Sequence, residues 1–201
     1  DDDDEEAIEL YRKSHHALPL EYLDVSTCHL GSEGVLTLLK GWKTKEKVKY
    51  LDISENDMFD SSTQVAKALN DLKLREIHLN QCKLGTMGSK KILDALAVSE
   101  IEPLNVNPGY HIRVLSLSGN EISNSIGPTL DHFLKHNMRI AILDLGFNNI
   151  TNDIINTMPE KGLPTILSSS SEDMKLRSLH INLQGNQCSQ ALFETPGLAR
   201  S

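Results

Sequence analysis

The apolar positions of this chain fall into one recurring arrangement, Leu-x-Leu-x-x-(Asn or Cys)-x-apolar. It is met by Leu23, Val25, Cys28 and Leu30, then by Leu51, Ile53, Asn56 and Met58, and again by Ile77, Leu79, Cys82 and Leu84. Three more copies follow: Leu115, Leu117, Asn120 and Ile122; Leu143, Leu145, Asn148 and Ile150; Ile181, Leu183, Asn186 and Cys188. The first five copies carry a further apolar residue three positions upstream, at Leu20, Val48, Leu74, Ile112 and Ile140. The sixth has Leu176 and Leu179 instead, which predicts a longer or bulged strand there. From copy to copy the steps are 28, 26, 38, 28 and 38 residues.

Within each copy the apolar period is two, the signature of a strand. Beyond the Asn or Cys it changes to three or four, the signature of a helix, as in Gly88, Ile92 and Leu96 or in Ile126, Leu130 and Leu134. A unit of about 30 residues cannot bury its apolar face alone, so neighbours must stack and share a core. The pattern therefore predicts an α/β solenoid with about six parallel strands on a concave face and helices on a convex face. The Asn or Cys sits where the chain turns away from the sheet, where backbone groups lose their ladder partners. An Asn amide can satisfy them; a Cys is smaller and offers a weak donor.

On these residues, over positions 20–192, the chain resembles the ribonuclease-inhibitor-like class of leucine-rich repeat proteins. The alternation Cys28, Asn56, Cys82, Asn120 and the long helical halves carry the resemblance. It implies intracellular, most simply cytoplasmic, residence and work through protein partners. Fold alone does not name the partner, because this class serves inhibition, sensing, GTPase activation, ubiquitin-ligase substrate capture and scaffolding alike.

The remaining segments complete the expected layout: an acidic tail at 1–6, a capping helix at 7–19, insertions at 97–111 and 159–175 on one rim, and a tail or further chain at 193–201. In the second insertion Ser169 and Ser170 stand three residues before Glu172 and Asp173. That spacing suits acidophilic kinases and marks candidate phosphorylation sites.

Side chains alternate across a strand, so the residues between the buried leucines form columns on the concave face. The first column reads Tyr22, Tyr50, Glu76, Val114, Ile142, His180; the second reads Asp24, Asp52, His78, Ser116, Asp144, Asn182. Six strands span roughly 24 Å, the scale of a protein epitope. Aromatic and aliphatic anchors beside polar residues make these columns the candidate partner-binding face. Upstream of the strands Lys49, Arg75 and Arg113, flanked by Lys47 and Lys73, form a candidate basic lip.

Charge and composition narrow the reading further. The chain has 201 residues and a net charge of −8, of which the six acids at positions 1–6 supply most. The repeat region is nearly neutral and lacks the basic footprint of a nucleic-acid binder. No run approaches the ~20 apolar residues of a membrane span. Cys28, Cys82 and Cys188 are too scattered for a disulfide scaffold or a paired-cysteine zinc site, and Cys28 and Cys82, two strands apart, are expected to be free and buried.

No nucleophile elbow, phosphate loop or dinucleotide fingerprint occurs. His132 and His136 share a helix face without a third ligand, and Asp24, Asp52 and Asp144 lie on an open surface where no low-dielectric pocket would tune a carboxyl group. The expectation is a non-enzymatic interaction module or scaffold within a larger assembly, with no cofactor, metal or catalytic residue. The alternatives are a regulator of a small GTPase resembling the Ran GTPase-activating proteins, through Arg75 or Arg113, and a ubiquitin-ligase substrate receptor.

Overall fold

A computed structural model describes residues 20–41, 48–72, 74–97, 112–137, 139–158 and 179–189. Six strands form one parallel sheet in chain order: β1 (Tyr22–Asp24), β2 (Tyr50–Asp52), β3 (Glu76–His78), β4 (Val114–Ser116), β5 (Ile142–Asp144) and β6 (His180–Asn182). Between them run helices α1 (Gly31–Gly41), α2 (Ser62–Asn70), α3 (Gly85–Leu96), α4 (Gly127–His136) and α5 (Ile154–Thr157). Short 3-10 turns at Phe59–Ser61 and Asn124–Ile126 lead into α2 and α4.

The register pairs every repeat with the next without a slip. Leu23 lies against Leu51, then Ile77, Leu115, Leu143 and Ile181. The sixth strand keeps this register over the same three residues as the others, so the bulge expected from Leu179 is not formed. Leu179 instead packs, partly buried, against the core.

The core is the space between the inward side of the sheet and the inner faces of the helices. Leu51, Ile77, Leu115 and Leu143 meet Leu39, Leu69, Ile92 and Leu130 there, with Phe133 wholly enclosed. Each such side chain contributes about 1.5–3 kcal/mol through removal from water. Consecutive helices pack side by side, α2 against α3 most extensively. That approach is tight because Gly88 faces Ser62: a Cβ on Gly88 would come 3.1 Å from the Ser62 Cβ.

The strands stop after three residues for a local reason. Asp24 Oδ1 accepts the Ser26 N–H at 2.9 Å, and Asp52, Asp144 and Asn182 accept the N–H two residues ahead in the same way. The side chain thus replaces a ladder partner and starts a turn. Three residues past the end of the strand the backbone enters the left-handed region in every repeat, at Thr27, Glu55, Gln81, Gly119, Phe147 and Gly185. Only then does the Asn or Cys arrive.

That residue closes the turn of the repeat before it. Asn148 Oδ1 accepts the N–H groups of Asn120 and Ile122 at 2.8 and 3.0 Å, while its Nδ2 donates to the carbonyls of Leu117, Leu145 and Gly146. Asn120 does the same for Cys82, Leu84 and Leu79, Asn56 for Leu30 and Val25, and Asn186 for Ile150 and Leu145. Cys82 has no strong side-chain acceptor. Its backbone carbonyl takes the Met58 N–H at 3.0 Å instead, and its thiol donates to Ile53 and Asn80. Cys28, at the same position in the first copy, is exposed rather than buried.

Candidate functional site

Among the described residues no helix covers the outward side of the sheet, and the strand register sets its side chains in rows. Tyr22, Tyr50, Glu76, Val114, Ile142 and His180 stand in one line across the six strands, and Asp24, Asp52, His78, Ser116, Asp144 and Asn182 in the next. The structure therefore brings together all ten residues expected on this face. Tyr22 is 56% exposed and Ile142 42%, large values for apolar side chains on a sheet; Ser116 is buried.

The rows are not uniform. Over β1–β3 the rings of Tyr22 and Tyr50 stack with centroids 3.9 Å apart, and Tyr50 leans on His78 at 5.1 Å. Burial, followed by a hydrogen bond with Tyr22, pushes the Tyr50 hydroxyl well above its ordinary pKa, so Tyr50 is a neutral donor and acceptor at physiological pH. Asp24 is held below the usual carboxylate range by hydrogen bonds from the Ser26 side chain and backbone. His78 lies 3.8 Å from Glu76, and its Nε2 is enclosed without a hydrogen-bond partner.

Over β4–β6 the same columns carry Val114 and Ile142, and their acid is already committed. Asp144 Oδ1 accepts from both Gly146 N–H and Asn182 Nδ2. The face thus carries aromatic rings and three acids, Asp24, Asp52 and Glu76, at one end, and aliphatic side chains with the one acid Asp144 at the other.

The upstream edge differs from the expected basic lip. Lys49 pairs with Glu21 on the neighbouring strand, which neutralises the first of its cations. Arg75 and Arg113 remain exposed and are adjacent, joined by the Arg113 N–H to Arg75 carbonyl bond of 2.7 Å. Lys47, Lys73, the 1–6 tail, the 7–19 capping helix, the bulk of both insertions with Ser169 and Ser170, and residues 193–201 lie outside the described residues.

One feature of the face escaped the sequence pattern. Phe147 sits at the left-handed position of its repeat, with φ 52°, and is 61% exposed. Such a φ is costly for a bulky side chain, and the ring it displays borders the downstream end of the open face. The signal was present in Gly119 and Gly185, which occupy the same position in adjacent repeats.

The rings of His132 and His136 lie 4.2 Å apart and tilted by 41°, with His136 Nδ1 against the His132 carbonyl, a local arrangement on the helical side. Among the described residues no three His, Cys, Asp or Glu side chains converge as metal ligands, and no helix is long and apolar enough to cross a membrane.

Parallel strands in register, a helix behind each turn and an asparagine closing the turn before it define an α/β repeat solenoid. Two family models, both described as leucine-rich repeat, match the chain at residues 16–39 and 111–133. The fold is that of a leucine-rich repeat solenoid, one that in general mediates protein–protein interaction. Comparison with curated proteins gave no match.

Proposed function

We propose that this protein is a non-enzymatic interaction module, of the ribonuclease-inhibitor-like subclass, that docks another protein on the open face of its sheet as part of a larger intracellular assembly. The carrying observation is the uncovered row that begins with the Tyr22–Tyr50 stack and reaches the exposed Ile142 four strands beyond Tyr22. Apolar and aromatic side chains left in water at the centre of a regular sheet, with polar residues beside them, are what an interface core needs. The alternating Cys and Asn turns support the subclass. Simultaneous Tyr22→Ala, Tyr50→Ala and Ile142→Ala should abolish capture of partners from cell extract while leaving the circular dichroism spectrum and cooperative unfolding intact. Unchanged capture would overturn the open-face assignment.

A second reading rests on the adjacent, exposed Arg75 and Arg113, which would suit regulation of a small GTPase by supplying charge to a phosphoryl-transfer site. Single-turnover GTP hydrolysis by candidate GTPases, with and without the protein, tests it; no acceleration eliminates it.

A further inference from the structure

The two ends of the open face differ in charge as well as in shape, and the difference specifies what the aromatic end can bind. Over β1–β3 the face presents Asp24, Asp52 and Glu76, none of them paired with a lysine or arginine among the described residues. Of the cations along the upstream edge Lys49 is tied to Glu21 while Arg75 and Arg113 stand exposed, and His78 lies against Glu76 and Tyr50. The Tyr22–Tyr50 rings are nearly parallel, at 10°, and closer than aromatic pairs usually stand, so two electron-rich faces are pressed together. A cation set against the exposed side of Tyr22 offsets that repulsion and gains the attraction of the flanking carboxylates.

We propose that Tyr22, Tyr50, Asp24, Asp52 and Glu76 form a subsite for the guanidinium group of an arginine on the docking partner. Guanidinium suits it better than ammonium: it is planar and weakly hydrated, and it can stack on a tyrosine while its N–H edge reaches a carboxylate two residues along the strand. The spacing of the face gives the rest of the ligand. From Tyr22 on β1 to Ile142 on β5 is four strand intervals, roughly 19 Å, or about six residues of extended chain. The partner segment is therefore an extended one with an arginine and, about six residues away, an aliphatic side chain for the Val114–Ile142 end.

This inference rests on the reading of the open face as a docking surface, and the test separates the two. A synthetic peptide with arginine and leucine separated by five serines is titrated into the full chain and followed by NMR of ring-labelled tyrosine and by anisotropy of a labelled peptide. Replacing its arginine by citrulline, which keeps the shape and removes the charge, should weaken binding at least tenfold. Tyr22→Leu should do so by a similar factor. Asp24→Asn combined with Glu76→Gln should weaken it about fivefold and flatten its salt dependence; the Asp24 change keeps the acceptor for the Ser26 N–H, so the turn survives. Equal binding of arginine and citrulline peptides, or no binding of either, overturns the arginine subsite. If the Tyr22, Tyr50, Ile142 triple variant still loses partner capture in that case, the docking face stands and only its cation specificity falls.

Discussion

The ring of Phe147 covers the backbone of Gly185 in the neighbouring repeat. A Cβ built on that glycine would lie 2.4 Å from the phenylalanine Cδ1, and Gly185 also holds a φ of 74°. Two penalties therefore meet at one position, a left-handed backbone and a blocked side chain. Gly185→Ala is expected to destabilise the fold by about 1–2 kcal/mol from the backbone conformation alone, and by more with the ring in place. In a Phe147→Asn background the clash is gone and the cost should fall towards the backbone value. Urea unfolding of the two single variants and the double variant measures the difference as a coupling energy.

Asn148 and Asn186 perform the same task with different burial, so they should differ in cost. Asn148 is buried and serves two N–H groups and three carbonyls. Asn148→Ala leaves the Asn120 and Ile122 N–H groups without partners inside the protein, while the Gly146 and Leu145 carbonyls keep the Gly119 N–H and Asn186 Nδ2, and a loss of about 2–6 kcal/mol is expected at one to three per orphaned N–H. Asn186 is half-buried, where water replaces part of what is lost. Its alanine variant should lose clearly less in the same urea titration, and equal losses would show that burial does not set the cost.

The three thiols should separate cleanly in reactivity. Cys28 is exposed, whereas burial pushes the Cys82 thiol up to about 12 and raises that of Cys188 above its ordinary value. The thiolate is the reactive form. At pH 8 an aromatic disulfide reagent should label Cys28 at once, Cys188 more slowly, and Cys82 only on addition of denaturant. Fast labelling of Cys82 in the folded protein would show that its turn opens readily.

Acid should weaken the fold in a defined window. Asp57 is held below the usual carboxylate range first by the hydrogen bond from Lys83 Nζ at 2.8 Å and then by the Phe59 N–H, and Asp24 is lowered by Ser26. A folded-state pKa below the unfolded one stabilises above the unfolded value, about pH 4, and that stabilisation disappears as pH falls through the lowered value. Scanning calorimetry from pH 7 to 2.5 should show Tm flat to about pH 5 and falling below 4. Asp57→Asn should be slightly less stable than the native chain at pH 7, because the pair is exposed, and indistinguishable from it near pH 2.5.

The hydrophobic period carried the architecture because it is a property of every repeat at once. Six leucine-type anchors set the strand order and register, and Gly88, Ile92 and Leu96, or Ile126, Leu130 and Leu134, are indeed the buried stripes of α3 and α4. The columns of the face followed from the alternation of strand side chains. Pairwise events lay outside that reach. Nothing in the pattern says that Tyr22 and Tyr50 stack, that Lys49 turns to Glu21, or that Asp144 is spent on Asn182, since each depends on rotamers chosen across two strands. The expected burial of Cys28 failed for a related reason: a niche that encloses Cys82 between two repeats leaves the same position open in the first described one.

The asparagine bonds between repeats also have a direction. Asn56, Asn120, Asn148 and Asn186 each accept an N–H from the repeat that precedes them in the chain. A repeat thus depends on its successor for the asparagine that finishes its turn, whereas Asn80 and Asn124 reach the other way and accept the Ser118 and Thr151 N–H groups. Damage to one unit should travel upstream: amide protons of Cys82 and Leu84 would lose exchange protection when Asn120 is replaced, while those of Ile150 would keep theirs. The solenoid resembles a ratcheted column, in which the turn asparagine of each unit latches the one laid before it.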